Sequence, residues 1–161
     1  MPNLHAGSGG EVQGAQASGS LKAAILGAAD GACSIGGVIA GGMAAHIPNH
    51  ALGFTAIAGG LAATVSMAGA EMLSEDTAAW TSVTAMGVGT LLGAALPAAP
   101  LLLLAGAAGW IAVACTSVAI GCLVGIVRSR VTRRRPLLSI VQTLAVLGIG
   151  GLVGYGAGLL G

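Results

Sequence analysis

The distribution of charge along this chain fixes what it can fold into. A charged side chain at the centre of a bilayer costs roughly 2.5–3.5 kcal/mol on insertion scales, so the charge-free gaps of a sequence mark where it can cross a membrane. From Thr77 to Val127 there is no Asp, Glu, Lys or Arg, and from Pro136 to Gly161 there is none either. A helix needs about 20 apolar residues to cross a hydrocarbon core of about 30 Å. The first gap holds two such stretches and the second holds one.

Only 7% of the residues are charged and 55% are hydrophobic, where an ordinary soluble domain carries about 25% charge. A water-soluble domain of any size is excluded. The chain has 29 glycines against one Phe, one Tyr and two Trp. Its spans are expected to pack through small residues, as membrane helices do when close backbone approach replaces the hydrophobic effect.

These features predict an all-α integral membrane bundle of five transmembrane helices. Met1 to Ser20, rich in Gly, Ser, Ala and Gln, reads as a flexible cytosolic tail. It does not read as a cleavable signal peptide. Residues 21–161 read as one transmembrane domain. Spans are expected over Lys22 to Ala45, Ala51 to Leu73, Ala78 to Leu96, Leu101 to Val127 and Leu137 to Leu160. The turns between them fall at His46-Ile47-Pro48-Asn49-His50, at the acids Glu75 and Asp76, at Pro97-Ala98-Ala99-Pro100, and at the basic stretch Arg128 to Arg135. Prolines at 48, 97 and 100 disfavour helix at the residue before each, which motivates two of those turns.

Orientation follows from the excess of Lys and Arg on cytosolic loops. With the N-terminus inside, Lys22, Arg128, Arg130, Arg133, Arg134 and Arg135 all face the cytosol, and the C-terminus lies outside. The arginine loop then anchors topology and touches anionic lipid headgroups. Five of the six basic residues lie in that loop, so nothing points to nucleic acid. No GxxxxGK[ST] loop occurs, which excludes nucleotide-driven transport by that device. Cys33, Cys115 and Cys122 lie in apolar stretches and read as small buried packing residues rather than a disulfide or zinc framework.

Within the spans, Asp30 stands eight residues past Lys22, about 12 Å along the helix. An acid at that depth is a functional residue unless a hydrogen bond to a neighbour such as Ser34 keeps it neutral. Glu71 lies near the cytosolic end of the second span, with Met67 one turn deeper on the same face. The first span leaves the cytosol and the second returns to it, so Asp30, Met67 and Glu71 are expected to converge at similar depth. Two carboxylates and a thioether suit a transition metal of intermediate softness. A lone Met in a span is core filler more often than a ligand. Gly27 and Gly31, and again Gly37 and Gly41, form a small-residue face for tight helix contact or a two-fold partner. His46 and His50 have the i, i+4 spacing of metal ligands, with Pro48 between them.

These residues resemble the vacuolar iron transporter family, membrane proteins that export ferrous iron and manganese from the cytosol in exchange for protons. The resemblance starts at Leu21 and covers most of the chain. LKAAILGAADGACS looks like the family's opening motif, with Asp30-Gly31 at its acid and glycine. Ser66-Met67-Ala68-Gly69-Ala70-Glu71 is similar to its S-M-A-x-G-E string, although Ala70 stands where that string has Gly. Residues Gly93 to Pro100 resemble its proline-bearing turn. The resemblance implies that Asp30 is the acid of the translocation path, Met67 a metal-coordinating thioether and Glu71 a carboxylate at the cytosolic entrance, joined there by Glu75 and Asp76. It further implies a homodimer with its path at the subunit interface and iron or manganese as cargo. No cofactor and no enzymatic activity are expected. The long acidic insert that well-known members carry between the second and third spans is replaced here by about Ser74 to Thr77. The expected location is a multi-pass membrane, the plasma membrane of a prokaryotic cell or a vacuole-type membrane of a eukaryotic one. Two other functions fit the same composition: a proton-conducting proteolipid-type subunit and a membrane-embedded interaction subunit.

Overall fold

A computed structural model of the chain describes residues 8–74 and 80–160, with side chains from Ala17 onward. Among the described residues the fold is all-α and contains five helices: α1 (Ser8–Ala44), α2 (Asn49–Ser74), α3 (Trp80–Leu103), α4 (Ala107–Thr132) and α5 (Pro136–Gly158). Each is long and apolar enough to cross a membrane, with the candidate span of α1 starting at Ala17.

Several boundaries differ from the sequence reading. Helix α1 begins at Ser8, within the stretch read as a tail, so its helix is longer than its span. Helix α3 does not stop at Leu96. It runs through Pro97 and Pro100 to Leu103, and α4 starts at Ala107 rather than Leu101. Pro97 lies fully buried in the bundle. The string Gly93 to Pro100 is therefore helix interior, not a turn. Proline removes one N–H and one ladder bond, but inside a membrane any non-helical backbone strands more polar groups than that, so the helix continues. The turn falls instead at Leu104-Ala105-Gly106, where Gly106 takes φ 61°, a conformation that glycine adopts without strain.

The packing is set by glycine. On α1, a Cβ at Gly27 or Gly31 would strike the backbone of α3 at Met86 and Thr90, and a Cβ at Gly89 or Gly93 would strike the carbonyls of Ala24 and Ala28. Further along α1, a Cβ at Gly37 would sit 3.2 Å from the Gly150 carbonyl oxygen and one at Gly41 would sit 2.8 Å from that of Gly154, both on α5. The residue numbers rise together in both contacts, so α1, α3 and α5 run parallel. Helix α2 runs against them, with Gly59 and Gly60 at Ile35 and Gly53 at Leu102. Helix α4 pairs antiparallel with α5, where Gly121 meets Leu144 and Gly125 meets Ile140.

The small face of Gly27, Gly31, Gly37 and Gly41 is thus a helix-packing face whose partners are α3 and α5 of the same chain. Its expected use by a second subunit is corrected, because backbone already occupies the space beside all four glycines. Larger side chains fill what remains. Ile35, Leu52, Ala56, Ala94, Ala98, Leu101 and Val113 form one buried cluster, and Ala32, Ile120 and Val124 form another.

Candidate functional site

Helix α2 presents one inward stripe. Gly53, Ala56 and Gly60 are buried on it, and Thr64, Met67 and Glu71 continue it at steps of three and four, each half-buried. Residues spaced in this way share a face of an α-helix. Near this end a Cβ at Gly87 of α3 would lie in ordinary contact with Thr64 and Ala68. Met67 and Glu71 therefore lie on the side of α2 that is turned into the bundle.

The contact of Ile35 with Gly59 and Gly60 fixes relative depth. Counting five residues back along α1 and five forward along the antiparallel α2 puts Asp30 level with Val65. Met67 lies two residues further, an axial offset of about 3 Å, and Glu71 about 9 Å. The three residues thus occupy neighbouring levels of the bundle.

Asp30 and Met67 are nearly level and Glu71 lies almost two turns off, and the three are not closed into one site within the chain. Asp30 sits about 140° around α1 from Ile35, the residue that meets α2. It is half-buried, and among the described residues its carboxylate has no hydrogen-bond or ion-pair partner, Ser34 included. The hydrogen bond that would have made Asp30 a purely structural acid is not formed. Leu26, Asp30, Ser34 and Val38 follow one another at steps of four, and all but the half-buried Asp30 are exposed. Ser34 and Val38 leave this stripe open beyond Asp30, whereas Leu26 borders a cleft beside α5.

No three His, Cys, Asp or Glu side chains gather as a metal site among the described residues. His46 lies outside the helices with φ 58° and His50 is in the first turn of α2, both exposed. Glu75 and Asp76, expected at the entrance, lie outside the described residues. Of the cysteines, Cys33 and Cys122 are half-buried but Cys115 is exposed, which corrects its assignment as a buried packing residue.

Asn49 was given no role by the sequence and has one. Its amide Nδ2 donates to the carbonyl oxygens of Leu104, at 3.3 Å, and Gly106, at 3.2 Å. One side chain at the start of α2 thereby satisfies the turn between α3 and α4. Its place after Pro48 at a helix start was the available signal, since Asn favours such positions.

The chain matches no protein-family model, and no curated protein and no solved structure matches it.

Proposed function

We propose that this chain exports a divalent metal ion, ferrous iron or manganese, from the cytosol in exchange for protons. The observation that carries this reading is the level at which three ligand-type side chains sit. Asp30 is an acid within a membrane helix with no partner among the described residues, about 3 Å in depth from the Met67 thioether and about 9 Å from the Glu71 carboxylate on the inward stripe of α2. Unpartnered carboxylates in a span have a cost that a function must offset. Carboxylates that bind a cation give up their protons, which couples metal movement to proton movement in the opposite sense. The thioether of Met67 adds a soft ligand that favours iron over hard ions such as magnesium. The motif resemblance supports the same cargo.

In this proposal the N-terminus is cytosolic, as the one-sided Lys and Arg distribution favours. The working unit is a homodimer. Its second copy lies on the open part of the stripe, Asp30, Ser34 and Val38, rather than on the glycine face, which α3 and α5 occupy.

The test is flux into proteoliposomes holding purified chain. Saturable uptake of ferrous iron or manganese, driven by an opposing pH gradient and reduced to background in Asp30→Asn, is the expected result. Proton flux without metal would favour a proton-conducting subunit, and no flux of either would favour a purely interacting one.

A further inference from the structure

A cleft of about 370 Å³ opens between α1, α4 and α5 at the basic end of the bundle. Lys22 of α1 and Arg128 of α4 both line it, and the wall beyond them is apolar, formed by Ile25, Ala29, Val146 and Leu147. Thr132 and Thr143 are the other polar residues of the wall, and their hydroxyls already donate to the carbonyls of Arg128 and Ser139. Among the described residues no acidic side chain lines the cleft. Leu26, another wall residue, and Val146 are exposed on the outer surface of the chain, so the cleft communicates with the surrounding bilayer. One turn from Thr143, Ser139 carries a buried hydroxyl with no hydrogen-bond partner among the described residues.

We propose that this cleft binds one anionic phospholipid, with the phosphate held between Lys22 and Arg128 and an acyl chain laid along Ile25, Ala29, Val146 and Leu147. Two cations from different helices at one mouth, with no carboxylate among the described lining residues, call for an anion. The apolar wall below them decides which anion. A free phosphate ion would be partly stripped of water by that wall without gaining a partner there, whereas an acyl chain gains contact along its whole length. Headgroup and tail are thus matched to the two ends of the cleft. Basic pockets between transmembrane helices select such headgroups. A lipid seated there joins α1 to the α4–α5 hairpin, two parts of the bundle that carry positive charge at the same end and repel each other without it.

The experiment is native mass spectrometry of the full chain released from neutral detergent, titrated with phosphatidylglycerol, with phosphatidylcholine, or with glycerol 3-phosphate. The parent chain should retain one phosphatidylglycerol, and neither of the other two. In the Lys22→Gln, Arg128→Gln double variant, retention should weaken about tenfold. An Arg133→Gln, Arg135→Gln variant, equal in charge but altered outside the cleft, should match the parent. All four side chains are exposed, so the variants leave the core intact. Equal retention of phosphatidylcholine, displacement by glycerol 3-phosphate, an unchanged first variant, or equal losses in both variants would each overturn the proposal.

Discussion

The carbonyl oxygen of Gly37 occupies the place where a Cβ on Gly154 would stand. Helices α1 and α5 meet there through backbone alone. Gly151, on the same helix, has nothing within 4 Å of its would-be Cβ. Alanine at the two positions should therefore act in opposite directions. Gly154→Ala forces the helices apart and should cost about 1–3 kcal/mol, the usual range for overfilling a packed site. Gly151→Ala should be neutral or add about 0.5–1 kcal/mol through helix propensity. Thermal unfolding in detergent, followed by circular dichroism, compares them, and equal shifts would refute the close α1–α5 contact.

The two bonds from Asn49 make the α3–α4 turn depend on a residue of α2. Asn49→Ala removes both and should destabilise the chain by about 1–2 kcal/mol, at roughly 0.5–1.5 kcal/mol per bond. Asn49→Asp keeps the shape but sets an acceptor against two carbonyl oxygens. It should be the worse of the pair. If Asp is tolerated as well as Asn in the same unfolding measurement, the amide does not bridge that turn.

Met67 can be separated from mere filling by comparison with Met43, which is exposed and thirteen residues beyond Asp30, about 20 Å further along α1. Met67→Leu conserves volume and should cost under about 1.5 kcal/mol, while the soft ligand disappears. Iron flux should fall more than manganese flux in a liposome competition assay. Met43→Leu should change neither. Identical behaviour of the two variants would reduce Met67 to packing.

If a second copy covers the open stripe of α1, cysteine introduced at Ser34 in a chain stripped of its own cysteines should form an oxidative crosslink between copies in membranes. Cysteine at Leu61, exposed on α2, is the comparison and should crosslink less. Monomer alone at both sites would remove the dimer from the proposed mechanism.

Topology is checked with single cysteines at His50 and Thr132, both exposed and at opposite ends of the bundle. An impermeant thiol reagent should label position 50 on intact cells and position 132 only after permeabilisation. Labelling in the reverse order would invert the chain and with it the direction of transport.

Five spans were legible because a bilayer penalises charge so steeply that the few charged residues mark the loops. The end of α3 was not, because Pro97 and Pro100 break helices where water can satisfy the freed carbonyls and do not do so inside a bundle. The start of α1 was obscured by Gly, Ser and Gln, which carry no apolar period. Gly27, Gly31, Gly37 and Gly41 were recognisable as a contact face. Their partners were not, since a glycine announces that something comes close without saying what. The candidate site divides in the same way. The four-residue step from Met67 to Glu71 fixed their common face on α2 from sequence alone. The environment of Asp30 depended on where α3 and α5 leave α1, a tertiary matter no local pattern records.

Contacts such as Ala32 against Ile120 and Val124 mesh like teeth, and shifting one helix along the other requires those teeth to disengage. Where Gly37 and Gly41 face Gly150, Gly154 and Gly158, there are no teeth. That stretch of α1 and α5 is a smooth bearing, along which a fraction of a turn of sliding meets little steric resistance. It begins two turns beyond Asp30 on α1. Any such slide would move Val146, one turn before Gly150, along α1 past Cys33, whose thiol meets the Val146 carbonyl three residues beyond the acid.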